Sequence, residues 1–394
     1  MLSVEISIKY YYEPNYAMTT GGGMDCDFSE DQEQLRANVR RFLNDRCPIE
    51  SYVRSMWGDE RGTSAAVWSG LSEMGISGLL IPQEFGGSGG TMVDMGVVLE
   101  EMGRLVHPGP FLSSAVGATT AICLIATVQE QAELLPSLAD GSIVATIAMM
   151  EPGERIGWHS ELTTAHQTDA GWQLRGAKSH VADAMHANVI LFPAKVNGEV
   201  RLFLVEANSI GLQVAPVVTV DGSRSFASVL LNGVPARLLG SGDATKHLDT
   251  VLDNLLVAYV VDGVGTAQAA LDMSVEYAKQ RIQFNRPIGS FQAVQHLLAD
   301  MLMWVELGRS AAYFSLWSSE TGSLEDRHRT ATLAKAYVSD AFFRVGASAI
   351  QVFGGVGYTW EHDVHLYYKR LLTLQQILGG SADHFQELAD LILS

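Results

Sequence analysis

The segment Tyr277–Met301, YAKQRIQFNRPIGSFQAVQHLLADM, constrains this chain most, because it joins the end of one helix to the start of another around an exposed cation. Arg281 is always charged and presents a planar fork of donors that matches pairs of phosphate oxygens. Phe284 offers an aromatic face to an adenine or flavin ring. The residue before a proline avoids helical angles, so Asn285–Pro287 is expected to end the first helix. The segment therefore predicts a diphosphate-binding turn between two helices.

The helix after this turn is predicted from its apolar spacing. Gly289 is expected to give the turn its conformational freedom, and Ser290 is expected to cap the new helix. Apolar residues then recur at i, i+3, i+4 and i+7, which predicts a buried stripe made of Val294, Leu297, Leu298 and Met301. The polar Gln292 lies off that stripe.

A second segment, Gln351–Tyr358 (QVFGGVGY), combines an amide side chain with paired glycines. Gly354 and Gly355 can adopt backbone angles closed to other residues and let main-chain N–H groups approach a ligand closely. Gln351 can donate its amide to a phosphate or a ribose. Taken alone, the segment fits equally well a glycine-rich helix stop between two core helices. Its combination with the first segment favours contact with a ligand.

Both segments resemble elements of the acyl-CoA dehydrogenase family. The first is similar to that family's flavin-binding signature, in which the Arg, Phe and Gln positions hold the adenosine diphosphate half of FAD. The second resembles the element that, in the family's tetramer, reaches the FAD bound by a neighbouring subunit. The resemblance implies a set of cofactor-binding residues: Arg281, Phe284, Gln292, Gln351, Gly354 and Gly355.

Composition excludes several classes of partner. The chain has 394 residues, of which 47% are hydrophobic and 18% charged, and its net charge is −18. Nucleic acids and anionic membranes demand a basic face, so neither is expected as the main partner. The hydrophobic fraction predicts a large core and an apolar interface with other subunits.

The cysteines and the amino-terminal residues predict a cytoplasmic protein. Cys26, Cys47 and Cys123 are odd in number and have no metal-ligand spacing, which indicates a reducing compartment and neither a disulfide framework nor a metal site. No apolar run approaches the length of a membrane span, and residues 1–23 carry no export signal.

Four regions follow from the pattern along the chain. Residues 1–27 form an unassigned extension. In 28–141, Ser29 with Gln32 makes a capping box, and further helices are predicted at about 64–75, 91–106, 112–126 and 129–139. Residues 142–240 show short β-branched runs separated by turns such as Asn197-Gly198, which predicts a β domain.

Residues 241–394 contain four predicted helices at about 247–280, 290–320, 326–353 and 382–393, typical of an antiparallel bundle. This order of blocks resembles the acyl-CoA dehydrogenase fold from residue 28 onward. The expected fold class is therefore α+β, with an N-terminal helical domain, a middle β barrel and a C-terminal four-helix bundle.

The family's reaction requires a carboxylate base that this sequence lacks at the expected positions. The enzymes remove the α-hydrogen of an acyl-CoA as a proton, while the β-hydrogen leaves as hydride to the flavin, and the proton needs a carboxylate base. The two positions from which the family supplies that base correspond here to Leu378 and to about Leu255. A leucine cannot accept a proton, so the catalytic residue stays unassigned. Asp253 and Asp262 are expected to be surface charges or helix-packing ion pairs.

The side of the site that holds the flavin ring is altered as well. The family's Thr-Glu-Pro appears as Met150-Glu151-Pro152, and its aromatic-Ile-Thr triplet appears as His180-Val181-Ala182. Both hydroxyl donors are lost. His180 could act as a general base, but it is expected to be a packing substitute.

A chain with this pattern resembles the catalytically reduced subunit of the heteromeric, FadE-type acyl-CoA dehydrogenases of actinobacteria. In those enzymes two different chains share FAD sites, and several act on CoA thioesters of steroid side chains. The resemblance implies an FAD-dependent oxidoreductase subunit in fatty-acid or steroid side-chain degradation, and a hetero- or homotetramer with another such chain. It also implies an acyl-CoA substrate, with electron-transferring flavoprotein as the acceptor.

Two alternatives remain open at the level of sequence. One is a self-sufficient acyl-CoA dehydrogenase with a displaced base, either Asp262 or Asp253. The other is a flavin monooxygenase on the same fold, which needs no base at the α-carbon.

Overall fold

Three consecutive blocks of secondary structure follow one another along the chain. The computed structural model describes residues 28–59, 62–158 and 161–393. The predicted extension 1–27, which includes Cys26, lies outside the described residues.

The first block is helical. Its opening helix α1 (Glu30–Arg46) begins at Ser29, whose Oγ accepts the N–H of Gln32 at 3.2 Å, while the Gln32 side chain accepts the N–H of Ser29 at 2.9 Å. The predicted capping box is thus confirmed. The remaining helices of the block are α2 (Arg54–Met56), α3 (Ala65–Glu73), α4 (Met92–Arg104), α5 (Thr119–Ile125), which continues a π-helical stretch Leu112–Ala118, and α6 (Val128–Ala139).

The second block is a β barrel. Its strands are β1 (Ala145–Ile147), β2 (Thr164–Thr168), β3 (Gly171–Ala182), β4 (Val189–Val196), β5 (Glu199–Glu206), β6 (Leu212–Val217) and β7 (Phe226–Leu239). Six of them pair in the order β1-β4-β2-β3-β7-β5, and β6 also pairs with β7. Strand β5 pairs back onto β4, which closes the ring. Asn197 and Gly198 have φ angles of 51° and 94° and join β4 to β5, as the sequence predicts.

The third block is helical again. It contains α7 (Thr245–Gln280), a two-stranded hairpin of β8 (Ile282–Gln283) and β9 (Arg286–Pro287), α8 (Gln292–Thr321), α9 (Leu324–Phe353), α10 (Val364–Gln376) and α11 (Ser381–Leu393). The sequence of helical block, barrel and helical block confirms the predicted fold class.

Helix α10 was not predicted, so the third block has five helices in its described part rather than four. Its first four residues, Val364–Tyr367, are all buried. A helix buried on consecutive positions shows no single apolar stripe, and its 3.6-residue period is therefore hidden in the sequence. Packing against α7 and α9, rather than local pattern, specifies this helix.

Helix α7 corrects one expectation about apolar runs. By length and composition alone it could cross a membrane, but 89% of its most apolar 18-residue window is buried inside the protein. It packs against α4, α8, α9 and α10. Its apolar character is that of a central core helix.

Candidate functional site

The first predicted cofactor segment is a β-hairpin. Helix α7 ends at Gln280, and the N–H of Arg281 makes the last helical hydrogen bond, to the Tyr277 carbonyl at 2.8 Å. Phe284 and Asn285 form the tip, with φ angles of 51° and 62°. The prediction that Asn285–Pro287 ends the helix is therefore wrong, because the helix stops earlier and the asparagine supplies a left-handed turn residue instead.

Phe284 is presented outward at this tip. Its side chain is 86% exposed, although a left-handed backbone is unfavourable for a bulky residue. The Phe291 ring lies edge-on to it, with ring centroids 6.1 Å apart, and the Arg286 guanidinium lies 4.0 Å from the Phe291 ring. Strained and exposed aromatic residues are typical of ligand contacts. Arg281 is exposed on the same hairpin.

The start of α8 differs from its prediction. Ser290 does not cap the helix; Phe291 is the N-cap residue, and Ser290 Oγ donates to the Pro287 carbonyl at 2.7 Å within a short 3-10 turn. Gly289 has no left-handed φ; a Cβ there would approach the Ala278 carbonyl oxygen to 3.0 Å, so close packing explains the glycine. Gln292 is exposed as expected.

The predicted apolar stripe of α8 is only partly buried. Met301 is fully buried, whereas Val294, Leu297 and Leu298 are half-buried. The first two turns of α8 therefore lie at the rim of the described core.

The second cofactor segment lies at the same end of the third block. Helix α9 ends at Phe353, Gly354 follows with a φ of 62°, and no described residue other than the chain neighbours has an atom within 4 Å of where a Cβ on Gly354 or Gly355 would stand. Gln351 is exposed beside them. The Tyr277 ring stacks on Phe353 at 4.2 Å, which joins this segment to the end of α7. The two glycines thus end helix α9 and leave empty space beside their backbone.

A small cavity of about 30 Å³ brings together the positions at which a base and ring contacts are expected. Its walls come from all three blocks: Ser113, Thr146, Ile147, Met149, Met150, His180, Ala182, Leu255, Tyr259, Ile377 and Leu378. Both leucines that stand in the base positions line it. None of the six exposed cofactor residues is among the described residues that line the cavity.

The turn that carries Leu378 is fastened by two buried side chains. Leu378 has a φ of 53°, and its carbonyl accepts a hydrogen bond from His384 Nε2 at 2.8 Å. The Lys335 ammonium donates to the Leu374 and Gly379 carbonyls at 2.8 and 2.7 Å. Burial lowers the pKa of Lys335 to about 7. Buried hydrogen bonds therefore hold this turn, although Leu378 has no carboxylate.

Glu151, next to the lining residue Met150, has a structural role. Its carboxylate accepts the N–H groups of Leu162 and Thr163 at 2.7 and 2.8 Å and lies 3.4 Å from the buried Lys178 ammonium. Burial lowers the pKa of Lys178 to about 8. These contacts account for a glutamate at position 151 even though its neighbour Met150 has no hydroxyl.

The segment 153–158 of the barrel block contacts the third block at three points. Ile156 packs against Gly379, where a Cβ would collide with its side chain. Trp158 Nε1 donates to Asp249 Oδ1 of α7 at 3.0 Å, and Arg155 pairs with Asp383 of α11 at 3.4 Å. This segment, called here the strap, therefore joins the barrel to both helices.

Asp262 and Asp253 are held in ion pairs and do not line the cavity. Arg224 Nη2 donates to Asp262 at 2.8 Å, and Arg370 Nη1 donates to both of its oxygens at 3.1 Å. Burial raises the pKa of Asp262, but the two guanidiniums outweigh it and leave the pKa below its ordinary value. Asp253 Oδ1 lies 2.8 Å from His328 Nδ1. Both contacts are those of helix-packing ion pairs.

Asp183 is a carboxylate near the cavity that no motif in the sequence indicates. It accepts a 2.7 Å hydrogen bond from Ser113, which lines the cavity, and burial raises its pKa to about 6. In the sequence, Asp183 is marked only by its position directly after Ala182, the last residue of the altered triplet. Its partner Ser113 is 70 positions away in sequence, so spacing gave no hint of the pair.

Metal and thiol chemistry have little support in the described ranges. No group of three or more His, Cys, Asp or Glu side chains there could hold a metal ion. Burial raises the pKa of the Cys47 thiol to about 12 and that of Cys123 to about 11. Both thiols stay protonated and unreactive at neutral pH.

Comparison with known proteins identifies the family. The acyl-CoA dehydrogenase N-terminal domain matches residues 29–142, and the acyl-CoA dehydrogenase C-terminal domain matches residues 250–388. Acyl-CoA dehydrogenase IpdE2 of Mycolicibacterium smegmatis is 32% identical over 91% of this chain and 98% of its own length.

Two solved structures of similar proteins agree with this. The Tcur3481-Tcur3483 steroid ACAD superposes with a TM-score of 0.84 at 31% identity, over 92% of this chain and 98% of that one. The ChsE4-ChsE5 complex from Mycobacterium tuberculosis superposes with a TM-score of 0.85 at 27% identity, over 94% and 99%. The chain belongs to the acyl-CoA dehydrogenase family of oxidoreductases.

Proposed function

We propose that this chain is a subunit of a two-chain acyl-CoA dehydrogenase and that it completes an FAD site whose ring is held by the partner chain. The observation that carries the proposal is a separation within the molecule. The predicted cofactor residues face outward at one end of the third block, whereas the chain's own cavity presents leucines where a base is required.

The exposed residues fit the nucleotide half of FAD. Arg281 supplies a fork of donors for the diphosphate, Phe284 supplies an aromatic face, and Gly354 and Gly355 leave room for a phosphate beside the backbone. Gln292 and Gln351 add amide donors. When bound, FAD supplies the hydride acceptor, and the residues of this chain orient its nucleotide end.

The chain's own cavity does not fit the ring half. Its volume of about 30 Å³ is far below the roughly 300–1,000 Å³ of typical ligand pockets. Leu378, Leu255 and Met150 line this small space. A ring would have to displace well-packed apolar side chains and would find fewer donors than in the family pattern.

Relatives support the two-chain arrangement and suggest a substrate class. The ChsE4-ChsE5 complex consists of two named chains, and Tcur3481-Tcur3483 is described as a steroid ACAD. We extend the proposal accordingly to CoA thioesters, with steroid side-chain thioesters as the first to be assayed and electron-transferring flavoprotein as the acceptor.

A self-sufficient dehydrogenase is the second candidate, because one observation favours it. Asp183 reaches the cavity through Ser113 and has a pKa raised to about 6, a value suited to proton abstraction near neutral pH. Asp262 and Asp253 are poorer candidates for that base, since both are committed to ion pairs. No contact in the described part of the chain favours the flavin monooxygenase alternative.

The deciding experiment measures FAD per chain. The chain is purified alone and co-expressed, pair by pair, with acyl-CoA dehydrogenase chains of the same genome that retain the glutamate base. We expect weak FAD binding by the chain alone and about two FAD per four chains in a mixed tetramer. A yellow assembly of this chain alone, with about one FAD per chain and turnover, would contradict the proposal.

The same preparations separate the two candidates. In the mixed complex Asp183→Asn should leave turnover within about threefold, because the partner supplies the base. An active assembly of this chain alone that loses turnover by orders of magnitude on Asp183→Asn would establish the self-sufficient enzyme.

A further inference from the structure

A cluster of aromatic and cationic side chains lies on the surface next to the second cofactor segment. We call it the aromatic surface and define it by Arg54, Trp57, Tyr358, Trp360 and Lys369. Tyr358 is 77% exposed and Trp360 is 57% exposed. Large aromatic residues with this exposure are unusual on a surface that faces only water, and they are enriched where proteins bind one another.

Trp360 is held in one orientation despite its exposure. The Lys369 ammonium lies 4.6 Å from its ring and 5.4 Å from the ring of Trp57, which stands edge-on at 6.2 Å. The Arg54 guanidinium lies 5.9 Å from the Trp360 ring and is itself fixed by a 2.7 Å ion pair with Asp363. An indole fixed in this way loses little conformational entropy when a partner covers it.

His365 supplies an independent sign of a missing contact. Its ring packs edge-on against Trp360 at 4.7 Å and is 5% exposed. Neither ring nitrogen has a hydrogen-bond partner among the described residues. Burial lowers the pKa of His365 to about 4, so the ring is neutral. Buried polar atoms in native proteins are nearly always paired, so the ring beneath Trp360 has an unmet hydrogen-bonding capacity.

The aromatic surface is continuous with the cofactor residues. Trp360 lies two residues after the end of the 3-10 turn Gly354–Tyr358. The His362 ring, two residues on, packs at 4.3 Å against Phe353 and at 6.5 Å against Tyr277, at the end of the helix that leads to Arg281. A chain that receives FAD contacts from this end of the molecule therefore lies beside Trp360.

We propose that the aromatic surface is the docking site of the partner acyl-CoA dehydrogenase chain, with Trp360 as its anchor. The inference rests on the proposed function, because only a different chain that holds the flavin ring would use the adjacent Arg281 hairpin. The partner is expected to present an apolar recess for the indole and a carboxylate opposite Lys369. Two copies of this chain, each with a net charge of −18, would meet with mutual repulsion.

The test uses the co-expressed pair that binds FAD. The dissociation constant of the two chains is measured by sedimentation on dilution, for the parent and for Trp360→Ala, Trp360→Phe and Lys369→Met. We expect Trp360→Ala to weaken association about 30- to 100-fold, with an intermediate effect for Trp360→Phe and about 3- to 10-fold for Lys369→Met. Ile210→Ala, at an exposed apolar residue of the barrel block, is the control and should leave association unchanged.

Thermal unfolding of each isolated variant shows that the fold is retained. Association of Trp360→Ala within about twofold of the parent overturns the inference. It is also overturned if Trp360→Ala dissolves an assembly of this chain with itself while the mixed complex is unaffected. Failure of the proposed function is visible separately, as unchanged FAD retention in Arg281→Ala complexes whose chains still associate.

Discussion

Asp262 is expected to be a structural carboxylate, and Asp262→Asn tests this directly. The residue lies at the junction of all three blocks. Arg370 donates to Asp262, to Asp221 at 2.9 Å and to the Val106 carbonyl at 3.1 Å, while Arg224 donates to Asp262 at 2.8 Å. The asparagine removes one negative charge and leaves two buried guanidiniums with a single carboxylate partner.

The expected cost follows from that burial. Breaking a buried ion pair by removing one partner costs about 3–5 kcal/mol, because the remaining charge stays desolvated. The apparent melting temperature should fall by about 4–6 °C, since an unfolding entropy of about 2.1 cal/mol/K per residue makes a chain of 394 residues shift by only about 1.2 °C per kcal/mol. Because the pKa of Asp262 is lowered in the folded protein, its contribution is present above its ordinary pKa and is lost as the pH falls through the folded value.

The assay compares two variants on the same helix. Asp272 pairs with Arg104 at 3.0 Å and is about half-exposed, so Asp272→Asn should cost less than about 1 kcal/mol. Thermal unfolding and turnover of the mixed complex are measured for both variants. Unchanged stability of Asp262→Asn together with a loss of turnover of more than about 100-fold would refute the structural interpretation and make Asp262 a base.

Three further predictions concern the cofactor, the helix packing and the base. Arg281→Ala in the mixed complex should weaken FAD binding about 10- to 100-fold and Arg281→Lys by less, measured by flavin fluorescence on dilution; equal retention would exclude the diphosphate contact. His328, hydrogen-bonded to Asp253 and Glu387, has its pKa raised to about 10, and the pKa of Glu387 is lowered to about 2. The stability lost in His328→Gln, about 1–3 kcal/mol, should therefore be largest between about pH 4.5 and 6.5 and vanish above about pH 10; a pH-independent difference in the free energy of unfolding would contradict this pairing. Leu378→Glu alone should give no measurable turnover in the isolated chain, because Met150 and Ala182 still lack the hydroxyls expected at the ring; turnover on acyl-CoA in a ferrocenium assay would show that the base alone was missing.

Local chemistry explains which parts of the fold the sequence predicts. The capping box at Ser29 and the Asn197-Gly198 hairpin follow from contacts between residues two or three positions apart, and both are confirmed. Helix α10 was missed because burial on consecutive positions erases its period. The hairpin after Arg281 was missed because its tip places Phe284 in a left-handed conformation that phenylalanine rarely adopts.

The same distinction applies to the candidate site. The exposed cofactor residues were recognisable because they lie in two continuous segments. Lys335 and Asp183 were not, because the atoms they contact lie 39 and 70 positions away in sequence. A buried lysine among alanines gives no local sign that it fastens a turn, and only the fold brings its acceptors together.

The hydrogen bonds that hold the Leu378 turn affect which chain of a two-chain enzyme can hold the flavin ring. In a symmetric assembly every chain both hosts a ring and lends nucleotide contacts, so losing the base alone would leave a host site that still binds FAD unproductively. Here Lys335 and His384 hold the turn by hydrogen bonds, Ile156 of the strap packs against Gly379, and the cavity that Leu378 lines has a volume of about 30 Å³. Moving Leu378 out of the cavity would break the buried hydrogen bonds that hold its turn, each worth about 1 kcal/mol net. In the proposed assembly the small size of this chain's own cavity would direct the ring of each FAD to the partner chain. The Arg281 hairpin would remain free to hold the nucleotide end of that FAD.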